Sequence, residues 1–146
     1  MRCALDHLGL NVTDEQKMLD FYSKVLQLKA ERIEEYRTGR VPFPSVRLNE
    51  DTVIDLFPKN MRQNEAAVGT GWQQLNHFCL AMAKKDWDTL VERLSDNAVP
   101  ITTGPVPRWG ARGSGISIYF SDPEGNTIEA RYYEKDARPD ECLLGS

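Results

Sequence analysis

The sequence predicts an α+β fold with an internal duplication, in which a strand, a helix and several further strands occur twice. Two observations predict it. First, the apolar stretches "LDHLGLNV" and "LNHFCLAM" share one pattern, and each contains one of the two histidines in the chain. Second, each half ends in a short strand with a carboxylate inside. His7 lies 48 positions before Asp55, and His77 lies 52 positions before Glu129, so the two halves have matching spacing.

The first half begins with a strand at Leu5–Val12 and continues into a helix. Thr13 or Asp14 can cap that helix, because both side chains accept hydrogen bonds from the first free N–H groups. Apolar residues then recur at helical spacing, namely Met18, Phe21, Tyr22, Val25 and Leu28. The segment "TVIDLF", Thr52–Phe57, predicts the closing strand.

The second half repeats this order from Leu75–Met82 onward. Its helix has an apolar stripe of Trp87, Leu90, Val91 and Leu94, and "SDNAVP" ends it. The segment "SDPEGN" predicts a turn, with Pro123 at the second position and Gly125 at the fourth. The closing strand is "NTIEARYY", Asn126–Tyr133.

We expect one domain over 1–146, with module 1 at about 1–58 and module 2 at about 74–135. The polar, glycine-containing stretch between them predicts a linker at about 59–73. The acidic tail, 136–146, has no assigned function.

Alternation along the strands places four polar side chains opposite the apolar faces. His7 opposes Leu8 and Leu10, and His77 opposes Phe78 and Leu80. By the same reasoning Asp55 and Glu129 oppose their isoleucine neighbours. The sequence therefore predicts two histidines and two carboxylates on one concave surface, with helices covering the other side.

Composition narrows the range of partners. The net charge of −4 argues against nucleic acid or an anionic membrane as the main partner. Three widely spaced cysteines, Cys3, Cys79 and Cys142, favour reduced thiols and a cytoplasmic location. No apolar run is long enough for a membrane span, and the first residues lack a signal-peptide core. Cys79 shares a face with His77, where it lines the pocket or is a small buried thiol.

Neutral imidazole and carboxylate are ligands that divalent first-row metals favour. Two histidines with one carboxylate suit iron(II) oxygen chemistry. Two histidines with two carboxylates also suit nickel, cobalt, zinc or manganese acting as a Lewis acid. In either case an open coordination position is needed, because a substrate oxygen must enter there.

The chain resembles the vicinal oxygen chelate superfamily, which includes glyoxalase I, fosfomycin and bleomycin resistance proteins and extradiol dioxygenases. The matching pieces run across most of the chain: "LDHLGLNV", "FYSKVLQLK", "TVIDLF", "LNHFCLAM" and "IYFSDPEGNTIEA". The segment "YFSDPEGNTIE" is the most specific of them. The stretch "GPVPRWGARGSGISIYFSDPEGN" is similar to a subgroup of glyoxalase-domain proteins.

The resemblance implies paired β-α-β-β-β modules that form a curved, partly open, barrel-like mixed sheet with helices outside. It implies one divalent metal bound by His7, Asp55, His77 and Glu129, with nickel, cobalt, zinc, manganese and iron all open. In glyoxalase I the carboxylate that matches Glu129 also moves a proton on the substrate carbon. The expected activity is a metal-dependent lyase or isomerase reaction on a small molecule, sometimes a thiol adduct. The resemblance also implies a homodimer.

Several departures leave other activities open. Asp55 is one methylene shorter than the usual glutamate, so it ligates directly or through water. An extradiol dioxygenase needs a further histidine before "IYFSDPEGN", and "RWGARGSG" has none. A fosfomycin-type thiol transferase is similar at Ser117, Tyr119 and Arg138, but Gly9 replaces its threonine. A bleomycin-resistance-like binding protein keeps the fold without a metal.

The glycine-rich, basic segment "PRWGARGSG", Pro107–Gly115, predicts either a lid that holds an anionic substrate or a solvated loop. Candidate substrate contacts in and near it are Arg108, Trp109, Arg112, Ser117, Tyr119 and Arg131.

Overall fold

The computed structural model describes residues 5–61, 75–110 and 112–134. It contains two compact units, Met1–Gln73 and Gln74–Ser146, and each has its own four-stranded mixed sheet. The predicted linker beyond residue 61 and the tail lie outside the described residues.

The described residues of the first unit, 5–61, form four strands and two α-helices. Its strands are β1 (His7–Asn11), β2 (Lys29–Glu31), β3 (Ser45–Arg47) and β4 (Val53–Phe57). Its helices are α1 (Glu15–Asp20), which continues as a π-helical turn over Phe21–Val25, and α2 (Ile33–Arg37); a short 3₁₀ turn covers Lys59–Met61. The sheet order is β1-β4-β3-β2. Strand β1 is parallel to β4, and the other two pairs are antiparallel.

The second unit repeats this topology, and its strands after the first are longer than their counterparts in the first unit. It contains β5 (Phe78–Ala81), α3 (Lys84–Asp96), β6 (Thr103–Gly110), β7 (Gly113–Ser121) and β8 (Thr127–Tyr132). The sheet order is β5-β8-β7-β6, and again the strands that come first and last along the chain, β5 and β8, are parallel neighbours. The predicted duplication is therefore confirmed at the level of topology.

Local chemistry explains where the first helix begins and which face it buries. Of the two predicted caps the structure uses Asp14, whose carboxylate accepts a hydrogen bond from the Lys17 N–H at 3.0 Å. Met18 and Tyr22, four residues apart, are fully buried. The helical spacing seen in the sequence thus corresponds to the face that packs on the sheet.

Helix α3 is attached to the second sheet by both packing and a hydrogen bond. Leu90 and Leu94 are buried, and the Trp87 ring lies 5.0 Å from the Tyr132 ring. The Trp87 indole N–H donates to the Ala130 carbonyl at 3.0 Å. A polar tip on an apolar ring lets this side chain bury its area without leaving its N–H unpaired.

The turn between β7 and β8 is the one predicted. The Gly125 N–H donates to the Asp122 carbonyl at 3.1 Å, and Gly125 has a φ of +87°. The buried Asp122 carboxylate accepts from the Glu124 and Asn126 N–H groups. This turn fixes the start of β8, which carries Glu129 two residues inside it.

Two segments differ from the sequence-based expectations. Helix α2 has no counterpart among the predicted elements. The segment Pro107–Gly115, expected as a lid or a loop, instead forms the end of a β6–β7 hairpin, in which Trp109 pairs with Ser114 and Gly110 with Gly113. Glycine is permissive at the end of a hairpin, so its abundance there is consistent with strand pairing.

The described residues contain no helix that is both long and apolar enough to cross a membrane.

Candidate metal centre

Glu129 lies in the middle of the second sheet and is held through one of its two oxygens. Its Oε1 accepts a hydrogen bond from the Ser117 hydroxyl at 2.6 Å and one from Arg131 Nη2 at 3.0 Å. The residue is 4% exposed, and β7 and β8 supply both partners. Its other oxygen, Oε2, points to a different neighbour.

The surroundings of Glu129 keep it ionised. Burial opposes the charged form, but the Ser117 hydrogen bond and the Arg131 charge outweigh it, and the pKa of Glu129 lies below its ordinary value. A buried carboxylate in this state presents Oε2 as a full acceptor at neutral pH.

His77 faces that oxygen, with its Nε2 3.1 Å from Glu129 Oε2. Its other nitrogen, Nδ1, lies 2.6 Å from the Asn76 Oδ1. In the tautomer with its hydrogen on Nδ1, the ring donates to the Asn76 oxygen and turns the Nε2 lone pair towards Glu129. In that tautomer a cation bound between Nε2 and Oε2 would be attracted to both atoms.

The first unit holds its histidine in the same manner. His7 Nδ1 lies 2.7 Å from the Asp6 carboxylate. That hydrogen bond, with a smaller contribution from Asp55, raises the pKa of His7 against the opposing effect of burial. The side chain is 56% exposed, and its Nε2 is directed away from Asp6.

Asp55 lies beside His7 on the same face of the first sheet. Gly9 is paired with Asp55 across β1 and β4, so His7, two residues earlier, points the same way. Asp55 Oδ1 accepts a hydrogen bond from the Ser45 hydroxyl at 2.6 Å, and the residue is 9% exposed. As with Glu129, a buried serine hydroxyl fixes one of the two carboxylate oxygens.

These donors fit a divalent metal in kind. Histidine ligands of metals usually have the second ring nitrogen held by a carboxylate or carbonyl oxygen, and both histidines here have that contact. Among the described residues, no three His, Cys, Asp or Glu side chains gather closely enough to hold an ion. Each unit described by itself therefore offers a histidine–carboxylate pair.

Arg131 lies behind Glu129 and is almost fully enclosed, at 3% exposed. Its Nη2 donates to the carbonyls of Arg108 and Trp109, each at 3.1 Å, as well as to Ser117. A Cβ at Gly110 would fall on this guanidinium, so the absence of a side chain there makes room for it. The geometry gives this predicted substrate contact a positioning role towards Glu129.

Tyr119 completes the contacts around Glu129, with its ring 5.8 Å from the His77 ring. Burial and the neighbouring Glu129 charge raise the pKa of Tyr119, so it stays a hydroxyl that donates to the carboxylate. Arg108, which is exposed, reaches the same hydroxyl. The structure thus brings three of the predicted substrate contacts, Ser117, Tyr119 and Arg108, close to Glu129.

The other predicted substrate contacts lie at the hairpin end. The Arg112 guanidinium stacks over the Tyr133 ring at 5.0 Å, and Trp109 is 85% exposed.

Cys79 is exposed rather than buried, and it pairs with Glu129 across β5 and β8. Desolvation and Glu129 raise the pKa of the Cys79 thiol to about 11, so it stays protonated.

The sequence matches the family model of the Glyoxalase/Bleomycin resistance protein/Dioxygenase superfamily over residues 4–130. The chain belongs to this superfamily. The matched range includes both histidine–carboxylate pairs and ends one residue after Glu129.

Two curated relatives match most of the chain. Virulence protein STM3117 of Salmonella typhimurium is 30% identical over 130 residues, which cover 88% of this chain and 83% of that protein. Glyoxalase domain-containing protein RDO1 of Mycosarcoma maydis is 29% identical over 136 residues, covering 90% of this chain and 69% of that protein. A solved structure from the mobile metagenome of V. Pseudocholerae has a TM-score of 0.71 at 29% identity, covering 92% of this chain and 98% of that one.

Sequence reasoning identified the superfamily but missed three residues that orient the candidate ligands. These are Asp6, Asn76 and Ser45. The first two had a visible signal, because an Asp or Asn stands directly before each histidine in "LDH" and "LNH". Ser45 had none, since only the antiparallel pairing of β3 with β4 brings it to Asp55.

Proposed function

We propose that this protein is a divalent-metal-dependent enzyme of glyoxalase type, a lyase or isomerase that acts on a small oxygenated substrate. His7, Asp55, His77 and Glu129 are the proposed ligands. The observation that carries the proposal is the pair formed by His77 Nε2 and Glu129 Oε2, 3.1 Å apart, which places an imidazole nitrogen and a carboxylate oxygen where a cation can contact both. His77 is held at Nδ1 by Asn76, and Glu129 is held at Oε1 by Ser117 and Arg131. Metal ligands are commonly oriented by contacts of this kind.

A metal bound there would supply Lewis-acid stabilisation of negative charge that develops on a substrate oxygen. The chain's own residues do the rest. Glu129 is held ionised, so its Oε2 can accept a proton from the substrate and return it. Ser117 and Arg131 bind Oε1 throughout, which keeps the carboxylate from rotating while the proton moves.

Substrate selection is assigned to the hairpin end and to Tyr119. Arg108 and Arg112 are exposed cations that suit an anionic group, and Trp109 offers an exposed apolar face. The glyoxalase-domain name of the Mycosarcoma maydis relative supports this class of activity. A homodimer is proposed on the family resemblance alone.

Metal content tests the proposal directly. The protein is purified without a metal-affinity step and measured by elemental mass spectrometry beside His77→Ala and Glu129→Gln. We expect about one ion per chain in the wild type and a large reduction in both variants, because removal of one ligand weakens metal binding. The control is Glu92→Gln, which makes the same change on the exposed face of α3.

The identity of the metal then selects the assay. Nickel, cobalt or zinc leads to isomerase assays, iron to oxygen consumption, and manganese to thiol transfer. A wild-type protein that contains no metal and takes up none on titration would contradict the proposal and favour a ligand-sequestering protein of the bleomycin-resistance kind.

A further inference from the structure

The two candidate carboxylates are held by the same kind of contact, although one is aspartate and the other glutamate. The Ser117 hydroxyl lies 2.6 Å from Glu129 Oε1, and the Ser45 hydroxyl lies 2.6 Å from Asp55 Oδ1. Both serines are buried, at 0% and 3% exposed. A hydroxyl so enclosed has no water to replace its partner.

An arginine stands behind each serine. Arg131 Nη2 lies 3.2 Å from the Ser117 Oγ, and Arg32 Nη2 lies 3.1 Å from the Ser45 Oγ. A guanidinium can only donate, so each serine oxygen accepts from its arginine. The serine hydrogen is then directed to the carboxylate, and the whole chain of contacts has one orientation.

The backbone at Arg32 supports a specific role for its side chain. Arg32 has a φ of 60°, a left-handed conformation that non-glycine residues seldom adopt. Its guanidinium stacks over the Phe43 ring at 4.5 Å and donates to the Phe43 carbonyl at 3.1 Å. These contacts fix the group that orients Ser45.

We propose that Ser45 and Arg32 are positioning residues that hold Asp55 as a metal ligand, a repeat of the role of Ser117 and Arg131 at Glu129. This inference rests on the proposed metal-dependent function. Asp55 is then a ligand that Ser45 orients in advance, rather than a polar group on the surface.

The two arrangements differ in one respect, which ranks the expected effects. Arg131 also donates directly to Glu129, whereas the two hydrogen bonds of Arg32 go to Ser45 and Phe43. Arg32 therefore acts on Asp55 through the serine. Removal of Ser45 should weaken metal binding more than removal of Arg32, and the double variant should match Ser45→Ala alone.

The test measures Co²⁺ binding by calorimetry and by the visible absorption of the bound ion, on metal-stripped full-length protein. Ser45→Ala should bind Co²⁺ about tenfold more weakly, the usual size for loss of a residue that orients a ligand. Ser45→Thr, which keeps the hydroxyl, should restore most of the affinity. Matched controls are Ser95→Ala on the exposed side of α3 and, for Arg32→Gln, Arg37→Gln on α2.

A double-mutant cycle separates positioning from a general effect on folding. If Ser45 acts through Asp55, then Ser45→Ala should cost no further affinity in an Asp55→Ala background. Full additivity would overturn the proposal, as would an unchanged affinity in Ser45→Ala while Asp55→Ala is weakened. A wild type that binds no Co²⁺ would overturn the proposed function itself, and wild-type affinity in Asp55→Ala would remove only Asp55 from the ligand set.

Discussion

Gly110 determines whether the Arg131 guanidinium can reach Glu129. A Cβ at this position would lie 2.6 Å from the Arg131 Cζ and 2.8 Å from the Tyr133 hydroxyl. Gly110→Ala should therefore push the guanidinium out of its buried hydrogen bonds. We expect a loss of about 2–3 kcal/mol in the free energy of unfolding, as for other buried charged groups deprived of partners. Urea unfolding followed by circular dichroism measures it.

The control for this substitution is the same change in an Arg131→Ala background. With the guanidinium gone, the added methyl group has to displace the Tyr133 hydroxyl but no buried charge, so Gly110→Ala should cost much less stability in this background than in the wild type. Additive losses would mean that Gly110 is needed for a reason unconnected with Arg131.

At the residue scale, the sequence indicated the proposed ligands, but not the residues that form hydrogen bonds with them. His7 and His77 stand out because a rare residue type recurs at corresponding positions of two repeats, and Glu129 stands out because it matches Asp55 in the closing strand of the other repeat. Ser45 and Arg32 are common residue types that lie 13 positions apart. Nothing in the sequence indicates that Ser45 contacts Asp55, 10 positions later, or that Arg32 contacts Ser45. The polar contact of Arg131 with the Trp109 carbonyl, 22 positions away, likewise depends on strand pairing.

At the scale of elements, helix α3 is attached to its sheet by a hydrogen bond as well as by its apolar stripe. Trp87→Phe keeps most of the aromatic packing but removes the N–H that donates to the Ala130 carbonyl. We expect a loss of about 1 kcal/mol in the free energy of unfolding, because one buried hydrogen bond to the indole N–H is removed. Circular dichroism in urea is the suitable probe, since the substitution changes the fluorescence.

Trp109→Phe provides the matched comparison, because Trp109 is 85% exposed at the hairpin end. Its free energy of unfolding should change by less than about 0.5 kcal/mol. Equal losses in the two variants would show that the Trp87 hydrogen bond does not contribute.

Strongly periodic elements were predictable and elements defined by pairing were not. The stripes of α1 and α3 and the turn at Asp122–Gly125 follow from apolar spacing and turn chemistry. The end of the β6–β7 hairpin was not predictable, because its glycines and arginines are typical of a loop. Its structure depends instead on pairing between the two strands. Helix α2 is only five residues long, too short for a periodic signal.

At the scale of the whole molecule, the duplication gives each unit one histidine–carboxylate pair, so the proposed ligands come from both halves of the chain. A ligand that binds only the folded protein stabilises it by an amount set by its concentration relative to Kd. The proposed metal should therefore raise the thermal stability of the full chain above that of the chelator-treated protein.

At a metal concentration of about a hundred times Kd, the gain is about 2.7 kcal/mol, which corresponds to a rise in Tm of roughly 5–10 °C for a chain of this size. Thermal unfolding of chelator-treated protein with and without Co²⁺ measures it. Glu129→Gln is the control, because it removes the charge of one ligand while keeping its shape, and its Tm should not respond to the metal. A rise of equal size in that variant would indicate that Co²⁺ stabilises the chain from some other site, and an unchanged wild-type Tm would contradict the proposed metal dependence.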